Sequence, residues 1–144
     1  MHGKRSIRML MVGAMLVGVF SLAGAAPAGA NHCQYQGTDR GDFIAGSSGN
    51  DIICARGGND VVFGRGGADW IQGGLGNDDL FGQAGNDQMT GGEGRDALEG
   101  GDGHDFLDAN DDTNNDVVDG GPQTDVCIVD PGDSVTNCET LIIR

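Results

Sequence analysis

From residue 42 to residue 107 the chain repeats one polar-then-apolar pattern every nine positions. Aspartate stands at 42, 51, 60, 69, 78, 87, 96 and 105, written Asp42, Asp51, Asp60, Asp69, Asp78, Asp87, Asp96 and Asp105 below. Two positions after each comes a large apolar residue: Ile44, Ile53, Val62, Ile71, Leu80, Met89, Leu98 and Leu107. Two positions before seven of them comes glycine: Gly49, Gly58, Gly67, Gly76, Gly85, Gly94 and Gly103. Eight matches in register at fixed columns mark an internal repeat. Each unit divides into a glycine-rich six and a three-residue tail such as Asp79-Leu80-Phe81. The tail alternates outward, inward, outward, as a short strand does. The six predict a turn, because Gly and Asn tolerate the left-handed backbone of a tight reversal. No apolar stripe of helical period exists, and Gly every few residues opposes a helix.

One strand and one turn cannot close a coil, but two can. The pattern therefore predicts an all-β solenoid with about 18 residues per turn and two short-stranded parallel sheets, its coils stacked about 4.8 Å apart. The aliphatic column fills the inside. Asp42 and Asp60 fall on one edge, Asp51 and Asp69 on the other. A short insertion, 109–115, breaks the period; Asp116 and Val118 resume it and Asp125 lies nine further on, so both aspartates are candidates to extend the ladders. The insertion region DANDDTNNDVVD alternates oxygen-bearing residues from Asp108 to Asp119, an echo of a calcium-binding EF-hand loop. Its sixth position is Thr113 instead of Gly and no helices flank it. A solvated polar bulge is the favoured reading, with an irregular calcium loop as the alternative.

Charge decides what the turns are for. Stacked carboxylates about 5 Å apart repel by roughly 3 kcal/mol at an effective dielectric of about 20. The inner column is thin for so glycine-rich a chain, whose ordering is entropically costly. A bound cation would turn repulsion into attraction. Flexible turns that offer only carboxylates and backbone carbonyls, with no thiolate or imidazole ladder, suit Ca²⁺.

The unit GGxGxDxUx, with U a large aliphatic residue, resembles the hemolysin-type calcium-binding nonapeptide repeat, also called the RTX repeat. The fullest matches are GGLGNDDLF (73–81), GGEGRDALE (91–99) and GGDGHDFLD (100–108); SSGNDIIC, GGNDVVF and QAGNDQMT match the later positions. The resemblance implies a right-handed parallel β-roll with calcium in the turns, each ion between repeats two apart. Carried onto this chain, the pairs are 42/60, 51/69, 60/78, 69/87, 78/96 and 87/105, hence up to six Ca²⁺ sites. The first repeat, GTDRGDFIA, and the third, which begins Ala55-Arg56, depart from the pattern.

At the start of the chain, MHGKRSIR precedes an apolar run, MLMVGAMLVGVF, and a small-residue site at Ala28-Gly29-Ala30. That order reads as a secretory signal peptide. Removing it leaves five basic against 22 acidic residues, a net charge of −17. Such a charge argues against nucleic acid and anionic membrane surfaces as partners and favours cations. Cys33, Cys54, Cys127 and Cys138 all lie beyond the signal. Their spacing favours Cys33–Cys54 and Cys127–Cys138, one staple at each end, among three permitted pairings. A zinc site lacks any CxxC spacing. The expected organisation is a signal peptide over 1–30, an N-terminal cap segment over 31–36, a repeat roll over 37–108, an insert with degenerate repeats over 109–128 and a C-terminal cap over 129–144.

Outward positions place Trp70 over Ile52 and Phe81 over Phe63, either as packing on a half-exposed sheet or as a face for a cell-surface or protein partner. The leading functional reading is a secreted, non-enzymatic protein that folds on binding Ca²⁺. A surface adhesion module is the alternative. A hydrolase lacks a converging nucleophile and base, and an ice-binding face lacks a repeated Thr array.

Overall fold

The computed structural model describes residues 33–111 and 115–144. The signal-peptide expectation and the middle of the insertion, Asp112 to Asn114, lie outside the described residues. Thirteen strands and no helix make up the described chain: β1 (Tyr35–Gln36), β2 (Phe43–Ala45), β3 (Ile52–Gly57), β4 (Val61–Gly66), β5 (Trp70–Leu75), β6 (Asp79–Ala84), β7 (Gln88–Glu93), β8 (Ala97–Asp102), β9 (Phe106–Asp108), β10 (Val117–Asp119), β11 (Val126–Val129), β12 (Ser134–Thr136) and β13 (Thr140–Ile143). Odd-numbered strands form one sheet in the order β1-β3-β5-β7-β9-β11-β13; even-numbered strands form the other, β12-β10-β8-β6-β4-β2. All pairings are parallel. Consecutive strands thus alternate between sheets, the topology of a two-sided solenoid.

The register shows why the aliphatic column repeats. Ile53 pairs with Ile71, Ile71 with Met89 and Met89 with Leu107, so identical positions stack at 18-residue steps. In the other sheet Ile44, Val62, Leu80, Leu98 and Val118 form a second column. The two columns make one buried core, in which Ile53, Val62, Ile71, Leu80, Met89 and Leu107 have no exposed surface. Each contributes roughly 1.5–3 kcal/mol on burial.

The strands are longer than the three-residue tails expected. In β3 to β8, pairing resumes beyond the tail, as in Arg56 with Gly74 and Gly57 with Leu75, after one unpaired residue. The first glycines of regular units such as 73–81 therefore belong to the sheet's margin as well as to the turn. Gly74 (φ 120°) and Gly76 (φ 116°) mark the two corners of one such turn. The insertion adds two residues to one coil: Ala97 pairs with Val117 and Phe106 with Val126, both 20 apart. The last coils shorten, with Val117 opposite Ser134 and Val126 opposite Thr140.

Disulfides join Cys33 to Cys54 and Cys127 to Cys138. The first ties the segment entering β1 onto β3; the second ties β11 to the segment before β13. Solenoid ends lack a stacking neighbour, and these cross-links hold them. Beyond the second, β13 is exposed along its length, with Leu141 at the core register but 45 % exposed. On the outer face of the even-numbered sheet, Phe63 stacks on Phe81 at 4.9 Å between centroids and meets Phe43 at 5.4 Å. Trp70 lies beside Ile52 on the opposite face. Among the described residues no helix is long and apolar enough to cross a membrane.

Candidate metal centre

The roll's two edges carry two carboxylate ladders. Asp42, Asp60, Asp78, Asp96 and Asp116 run along one; Asp51, Asp69, Asp87, Asp105 and Asp125 run along the other. All ten are at most 5 % exposed. Within a ladder each aspartate holds the coil before it. Asp60 Oδ1 accepts the amide of Asp42 (2.7 Å) and Asp69 Oδ1 that of Asp51 (2.8 Å). Asp78, Asp87, Asp96 and Asp105 do the same for Asp60, Asp69, Asp78 and Asp87, each at 2.8 Å. Asp116 and Asp125 continue the pattern, accepting from Asp96 and Asp105. The insertion lengthens the coil without breaking either ladder.

The second oxygen of each carboxylate has a different fate. Oδ2 of Asp60, Asp69, Asp78, Asp87, Asp96, Asp105, Asp116 and Asp125 is buried and has no hydrogen-bond partner. A buried acceptor left unsatisfied costs about 1–3 kcal/mol, and more when charged. Eight in register, at the same atom, are a pattern and not a packing defect. Those of Asp69, Asp78, Asp87, Asp105 and Asp125 also face a backbone oxygen of the next coil. A Cβ built on Gly82 would lie 2.4 Å from Asp87 Oδ2 and 2.5 Å from the carbonyl oxygen of Gly100; on Gly73, 2.5 Å from both Asp78 Oδ2 and Gly91 O. Carboxylate and carbonyl of adjacent coils thus converge on a spot that only glycine leaves free. At the reversal, Gly58, Gly67, Gly76, Gly85, Gly94 and Gly103 all have positive φ. The carbonyls of Gly58, Gly67, Gly76 and Gly85 point at the next coil, where a Cβ added to Gly76, Gly85, Gly94 or Gly103 would run into them. Gly49 does not share that conformation.

A second series of bonds aligns the turns. Asn50, Asn59, Asn77 and Asn86 each accept, through Oδ1, the amide 18 residues ahead, on Ala68, Asn77, Arg95 and His104. Asparagine reaches forward where aspartate reaches back, so the register between these four pairs of turns is fixed from both sides. Among the described residues no three carboxylate, His or Cys side chains gather at one point. The groups that converge at the five turns of Asp69, Asp78, Asp87, Asp105 and Asp125 are a carboxylate oxygen and a backbone carbonyl, an all-oxygen environment that fits Ca²⁺ and offers nothing that zinc prefers.

The model of the RTX calcium-binding nonapeptide repeat (4 copies) matches residues 36–71, 55–89, 63–98, 72–107, 83–114 and 90–127. The chain belongs to the RTX repeat family. It is a calcium-binding repeat protein with the β-roll fold, and proteins of this family are typically extracellular. Comparison with curated proteins gave no match.

The RTX ladders carry an electrostatic load. Burial pushes Asp60, Asp69, Asp78, Asp96, Asp105 and Asp116 up to about 6, against the backbone N–H that each accepts; neighbouring carboxylates in the ladder push the same way as burial. Asp87 is raised for the same first cause.

Two rungs escape the nine-residue spacing. Asp133 Oδ1 accepts the Asp116 amide at 3.0 Å, and Glu139 Oε2 accepts that of Asp125 at 2.8 Å. Each occupies the aspartate column of a shortened coil, 17 and 14 residues on, so the only sequence signal is the acidic residue just before Ser134-Val135 and Thr140-Leu141. The glycine five residues before each aspartate is the other feature that sequence spacing undervalued. It stands at 37, 46, 64, 73, 82, 91, 100 and 120, with Ala55 and Asp111 outside the regular array. Replacing buried Gly82 by alanine is therefore expected to cost about 1–3 kcal/mol by overpacking against Asp87 and Gly100. Gly49→Ala, whose added Cβ meets nothing closer than Ser47 Oγ at 3.8 Å, is expected to be nearly neutral. Thermal melts in calcium test the contrast.

Proposed function

We propose that this is a secreted, non-enzymatic protein whose RTX roll folds as Ca²⁺ enters between stacked turns. The observation that carries the reading is the set of eight buried Oδ2 atoms without partners, repeated along both edges. The ligands would be the ladder aspartates, with backbone carbonyls of turn glycines such as Gly58, Gly67, Gly76, Gly85, Gly94 and Gly103. Calcium supplies there the positive charge that the chain itself lacks. The two disulfides fit an oxidising compartment, and the leading sequence fits export through an N-terminal signal. Extracellular calcium modules bind with Kd near 10⁻⁴–10⁻³ M. Affinities in that range would leave the chain open in the cell and close it outside.

A surface-adhesion role is the second reading. It is favoured by the phenylalanine stack, whose Phe43 is 49 % exposed, and by Trp70 on the opposite face.

Equilibrium dialysis of the oxidised protein tests the calcium reading. Several Ca²⁺ per chain are expected at about millimolar free ion, with a tenfold excess of Mg²⁺ displacing little of it, since Mg²⁺ demands tight octahedral geometry. No bound calcium, or equal displacement by Mg²⁺, would overturn it.

A further inference from the structure

The first coil is built differently from those that follow. At the fourth residue before each ladder aspartate, later turns hold a left-handed residue: Arg56 (φ 85°), Arg65 (φ 83°), Gly74, Gln83, Gly92 and Gly101. The first two turns hold Thr38 and Ser47, neither of which is left-handed. That backbone difference aims their donors inward. Thr38 donates its amide (2.6 Å) and its hydroxyl (2.9 Å) to Asp42 Oδ2. Ser47 donates its amide (2.5 Å) and its hydroxyl (3.0 Å) to Asp51 Oδ2. These are the counterparts of the very atoms that are orphaned from Asp60 to Asp125. Asp51 has no unsatisfied oxygen, and Asp42 keeps only Oδ1, the atom that in later rungs accepts from the preceding coil.

Fixed positive charge crosses the same two gaps. Arg65, on the second coil, donates from Nη1 to Gly46 O on the first (3.1 Å). Arg56 reaches back from the second coil to Gln36, whose amide oxygen, in the orientation that satisfies both groups, accepts from Nη2 at 2.9 Å. No other repeat has a basic residue at this position. The Thr38 and Ser47 donors thus satisfy the oxygens that later turns leave unsatisfied, while the two exposed arginines tie the second coil back onto the first.

We infer that the turn pairs 42/60 and 51/69 take no calcium, and that Thr38, Ser47, Arg56 and Arg65 complete them instead. The ion array then begins at the pairs 60/78 and 69/87. The first coil, held by the Cys33–Cys54 bond and by the Phe43–Phe63 contact, is an ion-independent cap on which the calcium-dependent coils are laid. This rests on the calcium reading of the later turns. It shortens the array at one end, where the nine-residue spacing alone would count two more sites.

Hydrogen exchange of the oxidised chain, in Ca²⁺ and in EGTA, separates the two ideas. The amides of Gly46 and Val61 bond between the first and second coils, to Phe63 O and Asp42 O; those of Gln88 and Ala97 bond between later coils. Chelation is expected to speed exchange at Gln88 and Ala97 by about a hundredfold or more and at Gly46 and Val61 by less than about threefold. Equal acceleration at all four would overturn the cap while leaving the calcium reading intact. Indifference at all four would defeat the calcium reading and the cap with it. As a second test, the Ser47→Gly/Arg65→Gly double variant restores the regular turn. By native mass spectrometry it is expected to bind one more Ca²⁺ than the natural chain, and an unchanged count in a folded variant would contradict the assignment.

Discussion

An Asp78→Ala protein is expected to need at least about tenfold more calcium to reach half its β-signal, and to be less stable even when saturated. Asp78 is completely buried and does two jobs with its two oxygens. Oδ1 accepts the Asp60 amide at 2.8 Å, so alanine leaves a buried N–H without a partner, at about 1–3 kcal/mol. Oδ2 faces Gly91 O of the next coil, has no hydrogen-bond partner and is the proposed calcium ligand of that turn. The two losses separate in Asp78→Asn, which keeps an oxygen for the Asp60 amide but no charge for an ion. Asn is therefore expected to match Ala in lost calcium affinity while recovering much of the saturated stability. Asp79→Ala, next in the chain but exposed, should lie within about 0.5 kcal/mol of the natural protein. Circular dichroism during calcium titration reads all three. An Asp78→Ala protein that titrates like the natural one would remove this residue from the site.

Acid is expected to do part of calcium's work. Six ladder carboxylates, Asp60, Asp69, Asp78, Asp96, Asp105 and Asp116, have folded-state pKa values of about 6 against an ordinary value of 3.8, because burial disfavours their charged form. Between those two pH values the folded chain binds more protons than the unfolded one. Stability of the metal-free roll therefore falls as pH rises from about 4 to about 6, and the contribution is absent above that range. This is the reverse of ordinary acid denaturation, in which paired carboxylates lose their partners on protonation. Calcium must displace the same protons, so its apparent affinity should drop as pH falls below about 6. In EGTA, more β-signal is expected at pH 4 than at pH 7.5. A metal-free protein that gains structure as pH rises would contradict the buried, charge-crowded ladder.

What could be read without coordinates was whatever repeats at constant spacing. The aspartate and aliphatic columns gave period, coil length and core because a side chain's inward or outward direction in a strand depends on position alone. Trp70 beside Ile52 and Phe81 on Phe63 followed from the same arithmetic. The cysteine pairs followed from the need to hold two ends, and both form as expected. Spacing failed where coil length changes. Asp133 and Glu139 close the ladders, yet they sit 17 and 14 residues beyond the previous rung, so no fixed period reaches them. It also misjudged what adjacent aspartates do to one another. Spacing implies repulsion between carboxylates, but not that from Asp60 onward one oxygen of each is taken by the amide of the rung before. Nor does spacing show that the strand margin at the first glycines pairs again, which makes strands such as β5 and β6 six residues long instead of three. Nothing in the spacing singles out Thr38 and Ser47; only their backbone conformation shows them as donors to Asp42 and Asp51.

The proposed function makes most of this roll's described coils depend on an ion that completes an oxygen left without a partner. Far-UV circular dichroism of the oxidised protein at pH 7.5, taken through a Ca²⁺ titration and then into excess EGTA, tests that dependence directly. The account predicts a largely disordered spectrum without calcium, a cooperative rise of β-signal as it is added, and reversal on chelation. A full β-spectrum that persists in EGTA would contradict it.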